Sequence, residues 1–344
     1  MQTNELDISA ERSPAGDTVD VRATSSRPGP PSAAARSIPP EETAGARAPA
    51  GRLPAEWRDY YALTKPGVVK LLVFTAIVGM LLAQPGMVAW QILVFASLGI
   101  GLASACGATL NHVLDQRLDA KMARTRHRPL PTGRIEERDA IAFAMVLGLA
   151  GICILVLLVN PLTAALTFLS VVGYALIYTV YLKRATPQNI VIGGAAGAAP
   201  PVLGWTAVTN EISGYALLLF LIIFTWTPPH FWALAVARKE DYARAGVPML
   251  PVTHGPEFTK SFVLYYTCLL ILVTLLPYLT GMSGVLYLFA ALLLGGGFLW
   301  HGIRLKYADD GRMAMRTFNY SITYLAALFG FLLIDHYIPV FWPE

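Results

Sequence analysis

Residues 88–119 read VAWQILVFASLGIGLASACGATLNHVLDQRLD, and this stretch decides the fold. From Val88 to Val113 it is apolar over a length that crosses a bilayer core, which takes about 17–25 residues of helix. Its end then turns polar. Asn111, Asp115 and Asp119 recur at every fourth residue. On a helix of about 3.6 residues per turn, a step of four drifts only about 40° round the axis, so three oxygen-bearing side chains share one face over about 12 Å. Acids at the C-terminal end of a helix oppose its dipole and need compensation. The run that follows, Lys121-Met-Ala-Arg124-Thr-Arg126-His127-Arg128, offers five groups able to carry positive charge. Hard oxygen ligands suit Mg²⁺, and guanidinium and ammonium groups suit phosphate oxygens. The stretch therefore has the makeup of a site for a metal-bound diphosphate. The plainer alternative is a pair of solvated acids beside basic neighbours. Against it stands Asn111, one turn deeper in the apolar region, where polar groups point to function.

The rest of the chain repeats the apolar pattern. Its 344 residues are 55% hydrophobic and only 14% charged, and the mean hydropathy is +0.52. A soluble domain carries about 25% charged residues. Nine apolar segments are expected to span a membrane, near 68–83, 88–113, 139–159, 161–182, 189–207, 213–237, 258–280, 284–304 and 317–338. The fold class is thus all-α, a polytopic membrane bundle of about nine transmembrane helices. The fifth segment is dense in small residues and contains Pro200-Pro201. It is expected to break at that pair and to pack inside the bundle. Cys106, Cys153 and Cys268 lie in apolar segments without metal-ligand spacing and read as free thiols.

Residues 1–56 differ in kind. They are rich in Pro, Ala and Ser, hold six arginines and eight acids, and contain no apolar core of a secretory signal. They read as a disordered tail. Trp57, Tyr60 and Tyr61 form an interfacial cluster, and Lys65-Pro66-Gly67 marks the entry to the first span.

Orientation follows from the lysines and arginines. Beyond the tail they flank span 1 or fall in the 2–3, 4–5, 6–7 and 8–9 connections; the 1–2, 3–4, 5–6 and 7–8 connections and the C-terminal end hold none. By the positive-inside rule the N-terminus and the charged loops are cytoplasmic, the C-terminus is outside, and the active site lies on the cytoplasmic side. The 2–3 and 6–7 loops are also the long ones, which suits loops that carry function.

Three further groups bear on chemistry. Arg124 and Arg128 are the preferred phosphate clamp of the 2–3 loop, although basic loops also serve topology alone. In the 4–5 loop, Lys183 and Arg184 follow Tyr178 and Tyr181, and would meet the same diphosphate with one of those tyrosines. The 6–7 region, Thr227-Pro228-Pro229-His230 through Arg238-Lys239-Glu240-Asp241, supplies a second acidic pair and a histidine about two turns inside the span, behind an expected Pro-Pro break. A lone intramembrane histidine is often a hydrogen-bonded packing residue; the sharper reading is a haem-facing or proton-handling group. No phosphate-binding Gly-x-x-x-x-Gly-Lys loop is present, and nothing points to nucleic acid.

In these residues the chain from about Tyr60 onward resembles the intramembrane aromatic prenyltransferases, the UbiA-type superfamily, whose Asn-x-x-x-Asp-x-x-x-Asp pattern is met by Asn111, Asp115 and Asp119. Met122-Ala-Arg124-Thr-Arg126-His-Arg128-Pro, Lys183-Arg-Ala-Thr-Pro-Gln-Asn, Thr227-Pro-Pro-His-Phe-Trp and Asp241-Tyr-Ala-Arg-Ala-Gly-Val-Pro resemble the branch that prenylates haem. One departure stands out: the second motif commonly has a spaced acid pair, whereas Glu240 and Asp241 are adjacent, and Asp241 is the preferred ligand.

The resemblance implies that residues 57–344 form an intramembrane prenyltransferase domain. It implies transfer of farnesyl from farnesyl diphosphate to a vinyl group of haem B, with Mg²⁺ on Asn111, Asp115, Asp119 and Asp241. Asp115, Asp119 and Lys183 would be catalytic, Arg124, Arg128 and Arg184 would hold diphosphate, and His230 would meet haem. It further implies a multi-pass protein of a bacterial inner membrane, in the lipid bilayer, with a haem A synthase taking the product. A related enzyme acting on a quinone-precursor or chlorophyll-like ring would share the metal site. A transporter would instead place its acids near the bilayer midplane, and a haem-binding assembly factor would have no use for the phosphate-type basic clusters.

Overall fold

The computed structural model describes residues 55–308 and 311–341. The tail expected over 1–56 thus lies outside the described residues up to position 54. Among the described residues every regular element is a helix. Helix α1 (Trp57–Leu63) meets α2 (Pro66–Leu82) at a bend of 53°. Pro66 opens α2, where its missing N–H would be unpartnered in any case. Lys65, at the joint, has φ 49° in the left-handed region.

Then follow α3 (Trp90–Asp119), α4 (Glu137–Leu158), α5 (Pro161–Leu182), α6 (Asn189–Thr209), α7 (Gly214–Ala237), the short α8 (Lys239–Arg244), α9 (Pro256–Leu279), α10 (Val285–Lys306) and α11 (Gly311–Phe341). Eight of these are long and apolar enough to cross a membrane, and the bent α1–α2 pair makes a ninth. Among the described residues each of the nine expected segments is thus helical, and eight, or nine if the bent pair is one span, have the length and composition to cross a membrane.

Helix α3 runs unbroken for 30 residues. At 1.5 Å per residue it is about 45 Å long against a hydrocarbon core of about 30 Å, so a polar end extends beyond the apolar part.

Helices α6 and α7 are central: in each, 61% of the most apolar window is buried within the bundle, against 17% for α4 and α5. The small residues of α6 are the reason. A Cβ on Gly204 would collide with the backbone carbonyl of Ala76, and one on Gly79 with that of Pro201, so α2 and α6 touch backbone to backbone. As expected, α6 is interrupted at Ala199, just before its proline pair. The expected break at Pro228-Pro229 is absent. Helix α7 continues through both prolines, packed along its length against α6, α9 and α11, and a helix so enclosed tolerates missing backbone donors.

The two long loops pack against each other. Met122 of the 2–3 loop shares an apolar cluster with Tyr242, Ala245, Val247 and Met249 of the 6–7 loop and with Ile190 and Trp232. Thr125 Oγ1 donates to the Asp119 carbonyl at 2.9 Å, which folds the basic run back under α3. At the opposite end, Asp335 accepts from the backbone N–H groups of Gly284 and Tyr287, and Tyr337 donates its hydroxyl to the carbonyls of Leu81 and Gly86.

Candidate active site

The end of α3 carries the acids on one buried face, as their spacing requires: Asn111 is 4% exposed, Asp115 3% and Asp119 5%. Burial of carboxylates is costly unless they are paired, and here each has its own cation. Lys183 Nζ donates to Asp115 Oδ2 at 2.6 Å, and Arg128 Nη1 to Asp119 Oδ2 at 2.7 Å. Asn111 Nδ2 adds a bond to Asp115 Oδ2 at 2.9 Å and reaches Thr179 Oγ1 at 3.1 Å, while Lys65 Nζ donates to Asn111 Oδ1. The compensation that the helix dipole demands comes from α2, α5 and the 2–3 loop together.

Lys183 arrives by an unusual route. From Gly173 to Leu182, α5 winds as a π-helix, and Thr179 Oγ1 bonds the carbonyl of Tyr174 five residues back at 2.9 Å. Such widened turns are frequent at functional sites. This one brings Thr179 and Lys183 to α3 and stacks Tyr174 on Tyr178, with ring centroids 5.6 Å apart. Tyr178 lies flat on Gly193, where a Cβ would strike its ring. It lies within electrostatic reach of Asp115, whereas Tyr181 is 68% exposed on the outside of the helix. Of the two tyrosines, Tyr178 is the one on the side of the acids.

The second motif is close by. Tyr242, next to Asp241, is within electrostatic reach of Arg124, Arg128 and Tyr178. Burial holds its hydroxyl above the usual tyrosine range, so it stays protonated. Asp241 is 7% exposed and accepts from Arg244 Nη2 at 2.5 Å, while Glu240 is exposed. Arg124 is exposed and Arg128 half-buried. The side chain of Arg184 lies outside the described residues.

Asp115 Oδ1 is buried and has no hydrogen-bond partner. An anionic oxygen with free lone pairs, on a face with a second carboxylate and an amide oxygen, fits a hard divalent cation. Among the described residues no three acidic, histidine or cysteine side chains converge into a cage. That also suits Mg²⁺, which is usually held by one or two carboxylates together with substrate phosphates.

The sequence reading missed Lys65, Thr179, Tyr174 and His112. The His112 ring is 3% exposed, 4.0 Å from Asp119 Oδ2, and neither nitrogen has a hydrogen-bond partner.

His230 stands apart from the acids, in the seam between α7 and α11. Its ring stacks between Trp226 at 4.2 Å and Phe318 at 4.5 Å. Ser321 Oγ donates to the Phe318 carbonyl at 2.6 Å and lies 2.7 Å from His230 Nδ1. In the tautomer where Ser321 donates its proton to the Phe318 carbonyl, Nδ1–H donates to Ser321 Oγ and Nε2 keeps a lone pair.

Residues 72–331 match the UbiA prenyltransferase family. The chain is 61% identical to the protoheme IX farnesyltransferase of Alkalilimnicola ehrlichii over 292 residues, covering 85% of this chain and 97% of that one. It is 60% identical to the protoheme IX farnesyltransferase of Marinobacter nauticus, covering 83% and 94%. Its fold is similar to a structure reported for digeranylgeranylglyceryl phosphate synthase, with TM-score 0.68 and 17% identity over 81% of this chain and 98% of that chain. It is also similar to a UbiA homologue from Archaeoglobus fulgidus bound to GPP and Mg²⁺, with TM-score 0.58 and 16% identity over 80% and 99%.

Proposed function

The chain belongs to the UbiA prenyltransferase family and to its protoheme IX farnesyltransferase group, and on that premise we propose its reaction and the residues that perform it. The farnesyl group of farnesyl diphosphate is transferred to a vinyl group of haem B and water is added, giving haem O and diphosphate. Haem is substrate here, not cofactor. The observation that carries the site assignment is Asp115, with one oxygen held by Lys183 and Asn111 and the other without a donor.

Divalent cations, Mg²⁺ by the chemistry of the donors, would be held by Asp115 and Asp119 with Asn111 on the α3 side and by Asp241 on the 6–7 loop side, each together with the substrate's phosphate oxygens. When bound it neutralises diphosphate charge as a Lewis acid. Lys183 and Arg128, joined in this proposal by Arg124 and Arg184, take up the charge that grows on the leaving group. The allylic C–O bond breaks and its electron pair leaves with the diphosphate. The farnesyl cation then faces the stacked rings of Tyr174 and Tyr178, whose π-faces attract positive charge. The vinyl π-electrons form the new C–C bond, water adds to the resulting cation, and a proton is lost. His230, with Nδ1–H directed at Ser321, presents Nε2 to the haem iron.

Residues 57–344 form the membrane domain in this account, with the charged loops and the N-terminus cytoplasmic and the C-terminus outside. The apolar bundle admits both greasy substrates from the bilayer of a bacterial inner membrane, and a haem A synthase is the proposed consumer of the product. The test is direct: purified protein with haem B, farnesyl diphosphate and Mg²⁺, read by mass spectrometry for the farnesyl–hydroxyethyl adduct. Failure with haem B and success with 4-hydroxybenzoate would move the acceptor to a quinone precursor.

A further inference from the structure

His112 follows Asn111 on α3 and precedes Asp119 by seven residues, within about 20° of two full turns, so the two lie along one line of the helix. Their Cα atoms are about 10.5 Å apart along the axis, yet His112 Nδ1 is 4.0 Å from Asp119 Oδ2. The side chains therefore lean towards each other across the turn that carries Asp115. One turn on from His112, Gln116 donates to the Leu130 carbonyl at 3.3 Å. Leu63 of α1 clusters with Leu130, Ile135 and Val113, so α1 and the 2–3 loop close over this part of α3. The His112 ring is 3% exposed, and neither of its nitrogens has a hydrogen-bond partner among the described residues. Buried polar atoms are nearly always paired, so two orphans on one ring point to a ligand.

We infer that His112, as a neutral imidazole, donates a hydrogen bond to a phosphate oxygen of the allylic diphosphate; the inference rests on the diphosphate reading of the Proposed function. The ring's surroundings select the partner. Lys65 and Arg128 lie within electrostatic reach of it, and both can only donate. The imidazole N–H needs an acceptor, and the carboxylates do not supply one. Asp119 Oδ2 is too far at 4.0 Å and is already held by Arg128 at 2.7 Å. Asp115 Oδ1 is itself without a partner, so it does not reach the ring either. A diphosphate brings the acceptor oxygens that this group of donors lacks, and its negative charge suits the two cations. The proton stays on the ring throughout. As the allylic C–O bond breaks, charge grows on the diphosphate oxygens, and a hydrogen bond to one of them strengthens where the transition state needs it. His112 is thus a catalytic residue beside Lys183 and Arg128, one that adds a donor without adding a charge.

The test compares wild type, His112→Phe and His112→Gln in detergent with Mg²⁺. Three quantities are read: inhibition of farnesyl transfer by inorganic diphosphate, the KM for haem B, and the unfolding midpoint without substrate. His112→Phe keeps the ring and removes two unpartnered buried nitrogens, so its midpoint should equal or exceed that of wild type. Its inhibition constant for diphosphate should rise about tenfold or more, the worth of one hydrogen bond to a charged group. The KM for haem B should stay unchanged. His112→Gln keeps an N–H donor and should recover most of the diphosphate binding. A diphosphate constant for His112→Phe within about twofold of wild type would overturn the inference and assign the nitrogens to packing or to an ordered water. So would a Gln variant that binds diphosphate no better than Phe. Should the Phe variant not fold, His112→Leu takes its place in the same comparison. Wild type that diphosphate does not inhibit would remove the diphosphate reading itself, and this inference with it. Transfer to an acceptor other than haem B would leave the inference standing, with that acceptor's KM read instead.

Discussion

Replacing Lys183 by Met separates the electrostatic account from a merely structural one. The Lys183–Asp115 pair is 2.6 Å long, and its side chains are 17% and 4% exposed. Removing one partner of a buried pair costs about 3–5 kcal/mol. Lys183 is partly open to solvent, and Asp115 keeps the Asn111 amide at 2.9 Å, so the lower end applies to stability. The catalytic loss is separate. Losing one fixed positive group at a developing anion costs about 2.7–4 kcal/mol, or a factor of about 10²–10³ in turnover. The assay is steady-state farnesyl transfer to haem B at saturating Mg²⁺, with thermal unfolding in detergent as the control. The variant should stay folded and inserted, lose about 10²–10³ in kcat, and shift little in KM for haem. Lys183→Arg should recover part of the loss, because it restores the charge with different geometry. Turnover of Lys183→Met within about threefold of wild type would refute the reasoning, since such a difference is under about 1 kcal/mol.

Three other outcomes follow from the packing. Lys65→Met removes the donor to Asn111 Oδ1 from a residue held in a left-handed backbone. It should lower kcat by about tenfold or more, checked in the same assay, because such strain persists only where surrounding contacts hold it and marks functional positions. Gly204→Val forces α2 and α6 apart at the Ala76 carbonyl and should lower stability by at least about 1–3 kcal/mol, read as a fall in the detergent unfolding midpoint. Asp335→Ala strips the cap that α11 gives to α10 at the end remote from the acids; the expected loss is about 1 kcal/mol of stability with kcat unchanged.

The parts of this molecule that were legible in the sequence are those set by local pattern. Nine apolar stretches separated by charged loops announce nine spans because a bilayer admits few other arrangements. Asn111, Asp115 and Asp119 share a face because four-residue spacing nearly closes a helical turn. What could not be read depends on long-range contact. Asp115 and Lys183 are 68 positions apart, and their pairing depends on a π-helical stretch that the composition of Gly173–Leu182 does not signal. Lys65 sits in a Lys-Pro-Gly sequence that marks the entrance to any span, so its bond to Asn111 had no local trace. The proline pair of α7 misled because an isolated helix would break there, while one enclosed by three neighbours does not.

The central claim is that the acid face of α3 ionises farnesyl diphosphate with a divalent metal for transfer to haem B. It is tested most directly by mass-spectrometric detection of the haem adduct from wild type and Asp115→Ala, each with Mg²⁺ and with EDTA. The account predicts adduct only from wild type with Mg²⁺, with both proteins inserted and folded alike. Equal adduct from Asp115→Ala, or from wild type in EDTA, would contradict it.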